Sequence, residues 1–233
     1  MFYWAHRGAS GEAPENTLAA FRAAVLLRAD GIECDVRASR DGVPVIFHDP
    51  TLKRIAGRTD RIADLSLAQI KTVDVGAWFS AAFAHEAIPT LQETLAVIPP
   101  SIRLNLEIKS ACAPAVIDQV IAMNSVDQVV LSAFDHHLLH EARLLHPTIA
   151  LGVLVNREPW ATAISTALRL HAISLNVPVA RVSSAMVARA HQVGLEVHCY
   201  TIDAPSEMMR LMTLGVDGLF TNHPDRCPGN RPV

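Results

Sequence analysis

GIECDVRASRDGVPVIFHDP, residues 31–50, is the stretch whose reading decides the fold. Two short β-prone runs flank Asp41-Gly42, a dipeptide that readily supplies the positive φ angles of a two-residue hairpin turn. With Asp41 and Gly42 as the loop, Arg40 faces Val43, and counting outward sets Asp35 opposite His48. Side chains alternate along a strand, so Glu33 and Asp35 share one face while Ile32, Cys34 and Val36 share the other. Two carboxylates and an imidazole therefore converge. Such a grouping costs free energy unless a cation or a hydrogen-bonded partner compensates it.

Outward from the hairpin, short apolar runs alternate with stretches of helical period, the pattern of βα units around a parallel sheet. Strands are expected at 2–6, 31–37 (with 43–48 folded back on it), 103–109, 128–134, 149–155, 172–176, 195–201 and 216–221. Helices are expected at about 15–28, opened by Pro14 with Asn16 and Thr17 as capping residues, and at about 113–124, 135–145, 160–170, 183–193 and 205–213. Eight strands in 233 residues predict an α/β fold, a (β/α)8 TIM barrel with a β-hairpin extension of strand two and a short insertion. A doubly wound sheet fits less well, because no Gly-x-Gly-x-x-Gly turn follows any strand. The whole chain, 1–233, reads as one domain. Its long connection at 50–88 is expected over the barrel mouth, with a short helix at 66–73, followed by the outer helix of the second unit at 91–98. The tail from Asp225 is rich in Pro and Gly and is expected to be irregular.

Composition narrows the function. A net charge of -3 with no run of Lys or Arg argues against nucleic acid or an anionic membrane as partner. No apolar run reaches the ~18 residues of a membrane span, and no secretory leader opens the chain, so a soluble cytoplasmic protein without stable membrane association is expected. Cys34, Cys112, Cys199 and Cys227 lack Cys-x-x-Cys spacing, which fits reduced thiols and no zinc knuckle. Oligomeric state is left open.

The strand at 103–109 repeats the hairpin's logic, with Asn105, Glu107 and Lys109 on one face and Leu104, Leu106 and Ile108 on the other. Active sites of such barrels lie at the C-terminal ends of the strands, and there His6-Arg7-Gly8, Glu33, Asp35, His48, Glu107 and Lys109 meet at one rim. Glu33, Asp35 and Glu107 supply oxygen ligands suited to a hard divalent metal, Mg²⁺ or Ca²⁺, with Mn²⁺ a third choice. Arg7 and Lys109 suit an anionic, phosphate-bearing substrate. His6 and His48, approaching from different strands, suit proton transfer to and from it. The chemistry read from these residues is metal-assisted phosphodiester cleavage. Asp49 is expected to orient His48 or to hold the hairpin end, His198 to be a satisfied core histidine, and His136, His137 and His140 to be surface groups on a helix.

Taken in order, HRG at 6–8, PENT at 14–17, E-C-D at 33–35, DGVPVIFHD at 41–49, IPTLQE at 88–93, NLEIK at 105–109 and DGLFTNHP at 217–224 resemble the glycerophosphodiester phosphodiesterase family over nearly the whole chain. The resemblance implies hydrolysis of small-molecule glycerophosphodiesters to sn-glycerol 3-phosphate and an alcohol. By motif position it implies Glu33, Asp35 and Glu107 as metal ligands, His6 and His48 as the acid/base pair, and Arg7 and Lys109 as phosphate contacts. The chain departs from the family pattern at Tyr200 and Asn222. Both fall outside the implied catalytic set and bear on substrate preference, with Tyr200 offering a flat face to the glycerol or alcohol moiety. Two other activities are compatible with the same residues. One is a phospholipase-D-like or cyclising action on lysophospholipids, and the other is a non-catalytic glycerophosphodiester-binding module.

Overall fold

Strand parity builds the molecule. The computed structural model describes residues 1–228. In β2 (Gly31–Ala38) and β4 (Arg103–Ile108), the apolar positions Ile32, Cys34, Val36, Leu104, Leu106 and Ile108 all join one large buried layer with helix residues such as Phe21 and Val116. The intervening Glu33, Asp35, Asn105 and Glu107 carry the opposite parity. Each apolar side chain so buried contributes roughly 1.5–3 kcal/mol, and this drives the strands to present one face to the helices.

Eight parallel strands close on themselves. Around the ring stand β1 (Phe2–His6), β2, β4, β5 (Val129–Ala133), β6 (Ala150–Leu154), β7 (Ser174–Pro178), β8 (Glu196–Tyr200) and β9 (Gly218–Thr221), and β1 pairs with both β2 and β9. This is a TIM barrel, with β3 (Pro44–Ile46) paired antiparallel to β2 outside the ring. The sixth ring strand, β7, starts two residues later than the sequence pattern suggests and runs on to Pro178. Helices α1 (Leu18–Leu26), α4 (Leu91–Val97), α5 (Ala113–Ala122), α6 (His136–Leu145), α7 (Trp160–Arg169), α8 (Ser184–Gln192) and α9 (Pro205–Thr213) follow successive ring strands, and α2 (Lys53–Ala56) and α3 (Leu67–Ile70) lie in the long connection after the hairpin. After β9 the described chain makes one 3-10 turn, Pro224–Arg226, and the expected irregular tail beyond residue 228 lies outside the described residues. Trp4, Val130 and Phe220 pack together with Phe2, Ala150, Ile173 and Tyr200 inside the ring. No described helix is long and apolar enough to cross a membrane.

The hairpin differs from the sequence expectation by one residue of register. Val36 pairs with Ile46, Arg37 with Val45 and Ala38 with Pro44, so Asp35 stands opposite Phe47 and not His48. The cause is the turn. A two-residue type I′ loop needs two consecutive positive φ angles, whereas only Gly42 adopts one, at 78°. Ser39 N–H donates to Val43 O at 3.0 Å and Gly42 N–H to Ser39 O at 3.0 Å, which closes a three-residue loop. Asp41 accepts from Ser39 Oγ at 2.6 Å and from Leu67 N–H at 3.0 Å, spending its side chain on the turn and on α3. His48 therefore comes from irregular chain beyond β3.

The connection at 50–88 carries a small core of its own, in which Leu52, Ile55, Ile62, Leu65, Ile70, Val73, Val75 and Ile88 pack against Val45 and Phe47 of the hairpin segment. At the start of α1 the N-cap is Thr17, whose Oγ1 accepts from Ala20 N–H at 3.2 Å. Asn16 is not a cap. It stands one residue earlier at φ 58°, with its side chain turned elsewhere.

Candidate active site

Ring register brings the charged residues together: His6 pairs with Glu33, and Asp35 with Glu107. Glu33, Asp35 and Glu107 are all buried, and one carboxylate oxygen from each lies within 4.8 Å of the others. Burial, then the neighbouring Asp35 and Glu107, pushes the Glu33 carboxyl well above its usual range. Burial and Asp35 likewise push Glu107 up to about 7. For Asp35 burial acts upward too, but Lys109 and Arg7 outweigh it and hold the group at about 2. Lys109 Nζ contacts both Glu107 and, at 3.2 Å, Asp35 Oδ1. An all-oxygen donor set in which burial and mutual repulsion raise two of the three carboxyls fits a hard divalent cation, whose charge would offset that repulsion.

Both histidines have Nδ1 fixed by a side-chain oxygen. His6 Nδ1 lies 2.8 Å from Asn222 Oδ1. Asn222 Nδ2 donates to Asp203 Oδ2 at 2.7 Å and Ser10 Oγ donates to Asn222 Oδ1, so the amide is oriented with its oxygen toward His6 and the proton sits on Nδ1. His6 Nε2 then faces Glu33 at 4.0 Å. Burial, reinforced by Arg7, lowers His6 to about 4, which makes it neutral at pH 7. In His48 the Nδ1 lies 2.6 Å from Asp49 Oδ1, as the sequence suggested, and Arg37 Nε donates to the His48 carbonyl at 2.8 Å. Burial lowers His48 as well.

Arg7 has φ 58°, and its own N–H donates to Glu33 Oε2 at 2.9 Å while its guanidinium reaches Glu15 Oε1 at 2.8 Å and Asp35 Oδ2 at 3.4 Å. These groups line one open cavity of about 230 Å³ together with Ser132, Asn176, Phe134, Leu154, Tyr200 and Phe220. Polar and charged groups share the lining with an aromatic set of Phe134, Tyr200 and Phe220, and Lys109 Nζ lies 5.7 Å from the centre of the Phe134 ring. Tyr200 is placed in the wall as expected, edge-on to Phe134 at 6.2 Å, with its hydroxyl donating to Val155 O at 2.6 Å. All eight residues singled out from sequence thus surround one cavity, with Asp35 buried just behind its surface.

Three participants were not legible as such. Asn16 Nδ2 donates to Asp35 Oδ2 at 2.8 Å and Asn16 Oδ1 accepts from Asp35 N–H at 3.2 Å, a clasp that looks in sequence like an ordinary helix cap. Arg37, sharing parity with Glu33 and Asp35, could have been found by that alternation. Asn222, expected to bear on substrate alone, contacts His6 directly, because β9 adjoins β1 in the closed ring. His198 lies inside the barrel, accepting from Trp4 Nε1 at 3.1 Å on Nδ1, away from the cavity. His137 and His140 are exposed on α6, whereas His136 is half-buried with Nε2 2.9 Å from Leu154 O. The four cysteines are free and buried.

Known proteins resemble this chain over nearly its whole length. The model of the glycerophosphoryl diester phosphodiesterase family matches residues 6–226. A glycerophosphodiester phosphodiesterase of Caldanaerobacter subterraneus subsp. tengcongensis is 35% identical over 231 residues, 95% of this chain and 93% of that protein. Among solved structures, an Oleispira antarctica phosphodiesterase in complex with the product sn-glycerol-3-phosphate superposes with a TM-score of 0.92 at 32% identity, covering 97% of this chain and 94% of the other. A putative glycerophosphoryl diester phosphodiesterase from Silicibacter pomeroyi gives 0.87 at 26% identity, with 97% and 91% covered.

Proposed function

Since the chain belongs to the glycerophosphoryl diester phosphodiesterase family and is an enzyme of that activity, we propose that it cleaves small glycerophosphodiesters to sn-glycerol 3-phosphate and an alcohol with two imidazoles beside a divalent-cation site. One observation carries this reading: His6 and His48 come from different elements, each has Nδ1 engaged by a fixed oxygen, which leaves Nε2 for proton transfer, and both residues line the same cavity.

Glu33, Asp35 and Glu107 would hold the cation, and an oxygen-only set favours Mg²⁺ or Ca²⁺. When bound, such an ion supplies positive charge to the phosphate oxygens as negative charge grows on them. Arg7 and Lys109 flank the same space and suit the phosphate's remaining oxygens. His6, neutral and partnered by an amide, suits acceptance of the proton from the attacking water at Nε2. His48, partnered by the carboxylate of Asp49, holds an imidazolium better and suits donation from Nε2 to the departing alkoxide. The P–O bond to the alcohol breaks as the new P–O bond forms; His6 ends protonated with the attacker's proton, His48 ends neutral with its own proton on the alcohol, and exchange with solvent returns both to their starting states. The wall of Phe134, Tyr200 and Phe220 suits the glycerol or alcohol portion.

The test is release of sn-glycerol 3-phosphate from a panel of glycerophosphodiesters, with chelated protein reloaded one ion at a time. Turnover should return only with a divalent ion, and His48→Ala should fold normally and lose at least about 100-fold in kcat. Wild-type turnover by that variant, or full activity in chelator, would overturn the reading.

A further inference from the structure

The insertion contributes one charged side chain to this rim. Arg54 lies in α2, and its Nε donates to Asp49 Oδ2 at 2.7 Å. Its Nη1 and Nη2 donate to Glu15 Oε2 and Oε1 at 2.8 and 2.7 Å. Asp49 Oδ1 is the oxygen that holds His48, and Glu15 Oε1 is the oxygen that accepts from Arg7. A continuous chain of ion pairs therefore runs His48–Asp49–Arg54–Glu15–Arg7–Asp35, closing with Arg7 Nε at 3.4 Å from Asp35 Oδ2. It links the loop before α1, strand β2 and the continuous stretch 48–54 that leads from the hairpin into the insertion.

We propose that Arg54 is a positioning residue that fixes His48 through Asp49 and Arg7 through Glu15, so that the insertion sets the distance between the proton-transferring imidazole and the phosphate-facing guanidinium. This rests on the acid/base reading of His48 given above. An isolated surface ion pair contributes little and would decide nothing. Arg54 differs in geometry. It makes three directed bonds to two carboxylates, and each carboxylate has its other bond on a cavity residue, so rotation of either acid displaces a group in the site. A planar fork of donors can hold both acids at once, and a lysine ammonium on a flexible stem cannot reproduce that arrangement. Asp49 held by His48 alone would be free to rotate about its side-chain torsions, and with it the constraint that keeps the His48 proton on Nδ1 would loosen.

The experiment uses the full chain loaded with its activating ion. Arg54→Gln, Arg54→Lys and Asp49→Asn are compared with wild type by kcat and KM, by thermal melting, and by nitrogen-15 NMR of the His48 ring, which reports the tautomer. Arg54→Gln should lower kcat by roughly 10–100-fold and mix the His48 tautomers, and Arg54→Lys should recover only part of the loss while melting near wild type. The double variant Arg54→Gln/Asp49→Asn should be scarcely worse than the poorer single one, because both changes break one linkage. Should Arg54→Gln not fold, Arg54→Lys decides by the same readouts. The inference is overturned by kcat within about two-fold of wild type with an unchanged His48 tautomer, or by strictly additive losses in the double variant. Its failure is separable from failure of the acid/base reading, which is decided by His48→Ala alone.

Discussion

Asn16→Ala distinguishes a clasp from a cap. A helix N-cap replaced by alanine costs ~1 kcal/mol. Asn16, however, is 2% exposed and sits at φ 58°, and both ends of its amide are on Asp35. Losing the bond from Nδ2 to a buried charged carboxylate costs about 1.5–3 kcal/mol. The Asp35 N–H is then left unpaired in the interior, a further penalty of about 1–3 kcal/mol, and alanine tolerates the left-handed backbone less well than asparagine by roughly 1 kcal/mol. With some relaxation the total is on the order of 3–5 kcal/mol, large but within the ~5–15 kcal/mol of an ordinary fold. Urea unfolding of the metal-free protein reads it directly, and for a chain of this size the melting temperature should fall on the order of 10 °C. Asp35 would also turn more freely, weakening divalent-ion binding by roughly 10–100-fold. A loss of ~1 kcal/mol with unchanged ion affinity would match a cap and refute the reasoning.

His6 gives a pH dependence of stability with a definite sign. Lowered to about 4 by burial and Arg7, it binds fewer protons folded than unfolded between about 6.5 and 4, so stability rises with pH across that window and is lost on acidification, by roughly 3 kcal/mol at full extent. Melting temperature against pH in chelator should show this slope, and His6→Gln should flatten it; an unchanged slope in that variant would assign it to other groups. Gly42→Ala should cost about 1 kcal/mol through its positive φ alone, since a Cβ there meets nothing within 4 Å, and a neutral result would contradict the three-residue turn. Because Glu107 stands at about 7 and Glu33 well above its usual range, loading a divalent ion at pH 7 should release about one proton and bind more tightly as pH rises. Calorimetry in buffers of different ionisation enthalpy measures that proton, and a zero count would sink the prediction.

The barrel and its polar rim were legible because they rest on parity. Leu104, Leu106 and Ile108 need the helix layer, so Asn105, Glu107 and Lys109 must turn the other way, and a period of two is visible in any sequence. The hairpin register was not legible, because Asp41-Gly42 serves a two-residue and a three-residue loop equally well and the choice depends on what Asp41 bonds. Here Leu67 N–H, from the insertion, and Ser39 Oγ claim it. His48 nevertheless reached the predicted cavity, since the error was one residue and the chain beyond β3 is irregular enough to absorb it.

The residues whose roles the sequence did not show share a physical cause. Asn16 reads as a cap, Asn222 as a departure bearing on substrate, and Arg54 draws no reading at all. Each in fact serves a charged group brought near by ring closure or by the insertion, 19 residues away for Asn16 and Asp35, 216 for Asn222 and His6, and 39 for Arg54 and Glu15. The carboxylates and histidines reveal themselves because clustering like charges on one strand face is costly enough to demand a reason. Their partners are ordinary residue types in ordinary local contexts, and only the fold shows which charge each one answers. The chemistry of the site can therefore be read from the groups that are expensive to bury. The positioning of those groups has to be read from the residues that make the burial tolerable.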